Sequence, residues 1–173
     1  MWCPASNEFT LGATAVVGEL AQAGRVALGS DSRLSGSRDL LHELQCAAAT
    51  GQASPVELFR MLTTDAAALL RLPQAGRLAP GLPADLMVVR PLSPDPYETL
   101  LLAGRRDVRL VMIDGRPAVA EAALRPVFDA AGVDARPAKV DGRESWLAAT
   151  LASQLRRAAC SEPGLELLTR EAA

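Results

Sequence analysis

Arg25-Val26-Ala27-Leu28-Gly29-Ser30-Asp31 is the stretch on which the fold turns. An apolar run leads into a small-residue turn, and a carboxylate stands at its exit. A parallel strand buried on both faces is apolar without alternation. α/β enzymes carry their chemistry at the C-terminal ends of such strands. Asp31 is therefore the candidate site residue. Upstream, Trp2-Cys3 closes an earlier strand, Pro4 stops it, and Ser6-Asn7 supplies turn chemistry. Ala13 to Ala23 reads as a short helix with Val16, Val17 and Leu20 on its apolar face and Gly24 as its stop. Strand, helix, strand in that order predicts a βαβ unit with a parallel pair.

Downstream, Ser37 is placed to cap a helix from about Arg38 to Ala49, with Leu40, Leu41, Leu44, Ala47 and Ala48 as its stripe. Ser54-Pro55-Val56-Glu57 carries a full helix-start signature, with Ser at the N-cap, Pro at the first helical position and Glu at the third. Leu58, Phe59, Met61 and Leu62 are expected to face the core. A second start at Thr63-Thr64-Asp65 runs to Leu72, and Pro73 ends it. The character then changes. Gly76, Pro80, Gly81 and Pro83 punctuate a turn-rich stretch before a short strand, Asp85 to Val89. Tyr97 to Leu102 reads as a helical turn and Val108 to Ile113 as a strand. Asp114-Gly115 is a two-residue hairpin signal, so Pro117 to Val119 is expected to return antiparallel. From Glu121 onward the pattern reads as helical or irregular, with an amphipathic helix from Ser145 to Ala159.

The bulk numbers narrow the class. With 49% hydrophobic and 22% charged residues the chain is expected to fold. At 173 residues it is short of the roughly 200 that the smallest complete barrel of eight βα units needs. A net charge of −2 with no basic block argues against nucleic acid as a partner. Cys3, Cys46 and Cys160 lack any paired spacing and read as free thiols of a reducing compartment. No apolar run approaches the ~20 residues of a membrane helix, and the N-terminus has no signal-peptide pattern. The expectation is a soluble, cytoplasmic protein with no membrane partner.

Three segments together resemble the C-terminal part of the amidohydrolase superfamily, in its deaminase and chlorohydrolase branch. Cys3-Pro4-Ala5-Ser6-Asn7 is similar to the family's CPxSN turn. Val26 to Ser32, followed by Asp39-Leu40-Leu41-His42-Glu43-Leu44, resembles the GTD or GSD end of the eighth barrel strand and the helix after it. Gly76-Arg77-Leu78-Ala79-Pro80-Gly81-Leu82-Pro83-Ala84-Asp85-Leu86 resembles GxLxxGxxADL. The resemblance reaches from residue 1 to about 120. It implies an α/β fold that is the C-terminal fragment of a metal-dependent TIM barrel, with residues 1–73 as strands 7 and 8 with their helices and 74–120 as part of a small β-sandwich; residues 121–173, beyond the resemblance, read as a helical tail.

The resemblance also implies the chemistry. Family members hydrolyse non-peptide carbon–nitrogen bonds, in cyclic amidines or ring amines, with water activated on zinc or iron. Asp31 would be the catalytic acid and a metal ligand, and Ser6 and Asn7 would line the substrate pocket. The family's histidine ligands have no counterpart here. Trp2 stands where many relatives carry histidine, and the chain's one histidine, His42, falls toward the polar side of its helix. Ser30 and Ser32 flank Asp31 without a histidine to activate them, and Asp85 reads as a local backbone acceptor. A zinc site needs three or four protein ligands, so the isolated chain is expected to be inactive and to bind no metal by itself. Two barrel strands would expose an open, apolar edge, so a missing N-terminal half or a second copy is the expected partner beside a small-molecule substrate. The alternative is a non-catalytic remnant or interaction module.

Overall fold

In a computed structural model, residues 1–158 and 161–168 are described. The chain divides into two compact units, Met1–Leu82 with Pro91–Gly104, and Pro83–Arg90 with Arg105–Ala173.

The first unit holds six helices: α1 (Pro4–Leu11), α2 (Gly18–Gln22), α3 (Leu40–Ala49), α4 (Pro55–Leu62), α5 (Thr64–Leu69) and α6 (Pro96–Leu102). The expected parallel pair is reduced to one bridge between Trp2 and Leu28. Its bonds are Trp2 N–H to Ala27 O at 2.9 Å and Gly29 N–H to Trp2 O at 2.9 Å. Trp2, Val26 and Leu28 are buried with Val17, Ala21, Leu44, Ala47, Leu58 and Met61 in one core. The strand residues thus lie where the apolar run requires, without forming a strand of regular length.

Several local expectations change. The turn expected at Ser6-Asn7 is the first turn of α1, because Pro4 starts a helix where a missing N–H costs nothing. The helix expected from Ala13 begins only at Gly18. Gln52 explains the delay: its side chain accepts from Val17 N–H at 2.6 Å and donates to Ala15 O at 3.0 Å, taking backbone groups that a helix would use. Val16 is consequently 90% exposed rather than on an apolar face. Asp39, not Ser37, caps α3, accepting from His42 N–H at 2.9 Å. Phe59 lies at the surface, edge-on to Tyr97, while Leu58 and Met61 face the core as expected.

The start of α4 follows the sequence closely. Glu57 N–H donates to Ser54 Oγ at 3.3 Å and Ser54 N–H to Glu57 Oε2 at 2.7 Å. These bonds to Ser54, backbone first and hydroxyl second, hold the Glu57 carboxyl below its usual range.

The second unit is a six-stranded sheet in the order β1-β2-β3-β5-β4-β6, antiparallel throughout. Its strands are β1 (Leu86–Val89), β2 (Val108–Ile113), β3 (Arg116–Glu121), β4 (Ala135–Val140), β5 (Arg143–Ala148) and β6 (Leu165–Leu167), with helices α7 (Pro126–Ala130) and α8 (Ala149–Arg157). The first three strands and the Asp114-Gly115 turn agree with the sequence reading. Asp114 and Gly115 both have positive φ, 49° and 71°, as the two-residue turn demands. Asp85 does accept from backbone, but across the sheet: Asp114 N–H at 2.7 Å.

The segment 121–173, expected to be a helical tail, instead supplies three strands to this sheet. A second Asp-Gly pair, Asp141-Gly142, turns β4 into β5 with the same positive φ values, 47° and 80°. The helix expected from Ser145 begins at Ala149. Residues 145–148 are extended because both faces of β5 are covered: Trp146 and Ala148 pack with Phe128 and Leu110, and Leu147 packs with Ala152 and Leu155. Pro137 is tolerated in β4 because it joins the β6 side through its carbonyl alone, accepting from Leu168 N–H at 3.1 Å. Cys160 and the end of the expected helix at Ala159 lie outside the described residues.

Glu121 is buried at the end of β3 and takes Arg90 on Oε2 at 2.7 Å and Arg109 on Oε1 at 2.6 Å. Bonding from Arg109, with the charges of Arg109, Arg90 and Arg143, holds its carboxyl below the usual range. Two outcomes are expected. Ser54→Ala should lower stability by about 1 kcal/mol, read from denaturant unfolding. The Glu121 pairs should contribute fully above the ordinary glutamate value of about 4.3 and be lost as pH falls through the lower folded value. Glu121→Gln should therefore flatten the acid limb of a stability-against-pH curve.

Candidate functional site

Asp31 leaves the Trp2–Leu28 bridge at its C-terminal side and stands exposed at the start of the loop 32–36. Its φ is 51°, a left-handed conformation that costs a non-glycine residue about 1 kcal/mol and that aspartate tolerates better than most. The residue is thus held in an uncommon backbone state by what surrounds it. Gly36 shows how tightly the loop is drawn in. A Cβ there would stand 2.2 Å from the Ser30 carbonyl oxygen, so only glycine fits.

The carboxylate is oriented by two serines. Ser6 Oγ donates to Asp31 Oδ2 at 2.6 Å, the short distance of a hydroxyl bound to an ionised acid. Ser6 and Ser35 hydroxyls lie 2.9 Å apart. Ser6 has one proton and gives it to Asp31, so Ser35 must donate to Ser6. Ser6 is itself 4% exposed, on the first turn of α1. The structure therefore brings Ser6 to Asp31 and gives it an orienting contact. Asn7 follows on the same turn, half-buried, with its backbone N–H on Cys3 O.

Cys3 completes the near surroundings. Burial pushes its thiol up, and the Glu43 and Asp31 carboxylates push it further; the Asp31 backbone N–H opposes them. A thiol held protonated is a poor nucleophile. Ser30 and Ser32 fare no better, since the chain's one histidine, His42, is exposed on α3. No histidine stands beside these serines to activate a nucleophile, whereas an oriented carboxylate can accept or deliver a proton.

One participant carries no role in the sequence reading. Glu43 is fully buried on α3. Its Oε1 accepts from Ala5 N–H at 2.9 Å and its Oε2 from Ser37 N–H at 3.3 Å. A signal for it exists in the sequence. Residues 40, 43, 44 and 47 share one helix face, so a carboxylate at 43 sits inside an apolar stripe. Ser35, Gly36 and Ser37 carry no comparable signal, because their positions depend on how the loop folds back.

Metal ligation does not fit these residues alone. Among the described residues no three His, Cys, Asp or Glu side chains gather to hold an ion. Asp31 offers one carboxylate, and Oδ2 is already engaged by Ser6. A cleft of about 510 Å³ opens beside α1 and α3, lined by Pro4, Ala5, Glu8, Cys46 and Gln52 among others, but Asp31 does not line it. No helix among the described residues is long and apolar enough to cross a membrane.

No curated protein matches the chain. The family model described as Amidohydrolase family matches residues 2–118, more than half of the 173. The matched span takes in the Trp2–Leu28 bridge, the Asp31 cluster, β1, β2 and the start of β3. Amidohydrolases are generally metal-dependent hydrolases, and by this match the chain belongs to the amidohydrolase family.

Proposed function

We propose that the chain contributes Asp31 to a hydrolase site acting on non-peptide carbon–nitrogen bonds, of the cyclic-amidine or ring-amine type found in the deaminase and chlorohydrolase branch. The supporting observation is Asp31 itself. It stands at the exit of a buried parallel pairing, in a left-handed backbone state, with its carboxylate fixed by Ser6. Asp114 and Asp141 also take positive φ, as hairpin-turn residues. Asp31 lies in no hairpin, and its carboxylate accepts from a buried serine. Backbone strain of this kind clusters at functional sites. In this reading residues 1–73 are the last part of a barrel and 74–120 the share of a small sandwich.

The histidine ligands for zinc or iron then come from outside these 173 residues. Such an ion, when bound, supplies activated water, and this chain adds one oriented carboxylate beside it. A partner is also favoured by exposed apolar side chains in the first unit: Phe9 at 73%, Leu11 at 75%, Val16 at 90% and Leu34 at 91%. Side chains this open are the ones that a partner surface would cover. The second reading, a non-catalytic interaction module, rests on the lack of a ligand set among the described residues.

The two readings part on metal and ammonia. Purification of the tagged chain from its native cytosol, with whatever binds it, should yield a complex that contains zinc or iron and releases ammonia from a panel of ring amines. Asp31→Asn keeps the left-handed tolerance and an acceptor oxygen, so the complex should still form while ammonia release falls by about 100- to 10,000-fold. Release unchanged by Asp31→Asn would end the hydrolase reading. A stable complex with neither metal nor release would establish the module.

A further inference from the structure

A carboxylate with no solvent exposure needs a reason. Taking an ionised acid out of water costs several kcal/mol, and a well-packed apolar residue in its place is often neutral or stabilising. Position 43 lies on the buried stripe of α3 beside Leu44 and Ala47, where leucine would serve packing as well. What glutamate provides is two acceptor oxygens on one rigid plane. Oε1 takes the N–H of Ala5, one residue before Ser6, and Oε2 takes the N–H of Ser37, two residues after Ser35. Consecutive Cα atoms are about 3.8 Å apart, so Ser6 lies one such step from Ala5 and Ser35 two steps from Ser37. Each bond therefore fixes the backbone that carries one of the two serines.

Ser6 and Ser35 come from segments 29 residues apart, and their hydroxyls must stay within 2.9 Å for the chain of donors to end on Asp31. Both neighbouring N–H groups are short of backbone acceptors. Ala5 is in the first turn of α1, where no carbonyl precedes it in the helix, and Ser37 is buried in a loop. A single carboxylate answers both and so locks their spacing. Gly36, unable to carry a Cβ against Ser30 O, lets the second segment come close enough.

We propose that Glu43 is the positioning residue of the Asp31 site: its two oxygens clamp the Ala5 and Ser37 backbones so that Ser35 and Ser6 hold Asp31 in place. Its functional meaning rests on the reading of Asp31 given above, whereas the clamp itself is tested without any turnover.

Glu43→Gln separates a positioning role from a filling one. Glutamine has the same shape but one acceptor oxygen, and its NH₂ must face the other N–H. The shorter bond, to Ala5, should be kept and the longer one, to Ser37, lost. Amide exchange followed by NMR should then show Ser37 exchanging about tenfold faster or more, with Ala5, Leu44 and Leu58 at wild-type rates. The backbone resonances of Ser35 and Asp31 should shift. Glu43→Asp, too short to span both groups, should not restore them. A merely structural role predicts that all buried amides speed up together, or that none does, with Asp31 resonances unmoved; either result overturns the proposal. Should the variants fail to fold, the unaltered protein still decides. Ala5 and Ser37 amides must show matched, strong protection, and exchange of either at surface-loop rates overturns the clamp. Loss of the hydrolase reading would leave these exchange results untouched, so the two failures are distinguishable.

Discussion

Trp2 and the residues around Leu28 share two backbone hydrogen bonds, and the first unit is arranged about that contact. Backbone groups taken out of water must be paired, and here the pairing joins two segments about 25 residues apart in the chain. The indole adds a second tie, donating from Nε1 to Thr14 Oγ1 at 2.8 Å. Leu44, Leu58 and Met61 then pack onto the same core from α3 and α4. The exit of this pairing fixes where Asp31 stands. An apolar Val26-Ala27-Leu28 run with no polar alternation can be satisfied only by cover on both sides, which is why a contact of one bridge still organises so many helices.

The second unit obeys a different constraint. A sheet has edges, and each open edge is a row of unpaired backbone groups. β3 is covered by β5, and β5 by β4, through residues that follow the hairpin in the same chain. Both faces are then occupied, one by Phe128 and its neighbours and the other by α8. Arg105 ties the far end together, donating to Asp141 at 2.8 Å and pairing with Glu162. A second charge cluster ties the interior strands β2 and β3, with Arg90 and Arg109 on Glu121.

The Asp31 cluster carries an imbalance. The cluster about Asp31 is built with care for one carboxylate: a short bond from Ser6, a second serine behind it and a buried glutamate behind both. Yet the residues that could share a metal with it are absent among those described. Family membership and an oriented acid belong together, and the imbalance is resolved if the remaining ligands reside on another polypeptide segment.

The sequence alone determined the elements whose signals are local. Ser54 with Glu57, the Asp114-Gly115 turn, β2 and the burial of Val26 to Leu28 all follow from residue type and spacing, because capping, left-handed turn geometry and apolar runs act within a few residues. Asp141-Gly142 carries the same local signal as the first turn, and Trp146 with Leu147 masks it by fitting a helix face as well as a strand covered on both sides. Tertiary structure decided the rest. Gln52 withholds the start of α2 from 35 residues away, and Asp85 caps a turn 29 residues on. Glu43 shows its offence against an apolar stripe in the sequence, but only the folded chain brings Ala5 and Ser37 to its two oxygens. Long-range hydrogen bonds have no periodicity, so the contacts that hold Asp31 were settled by the fold, while its place at the exit of an apolar run could be read from the chain.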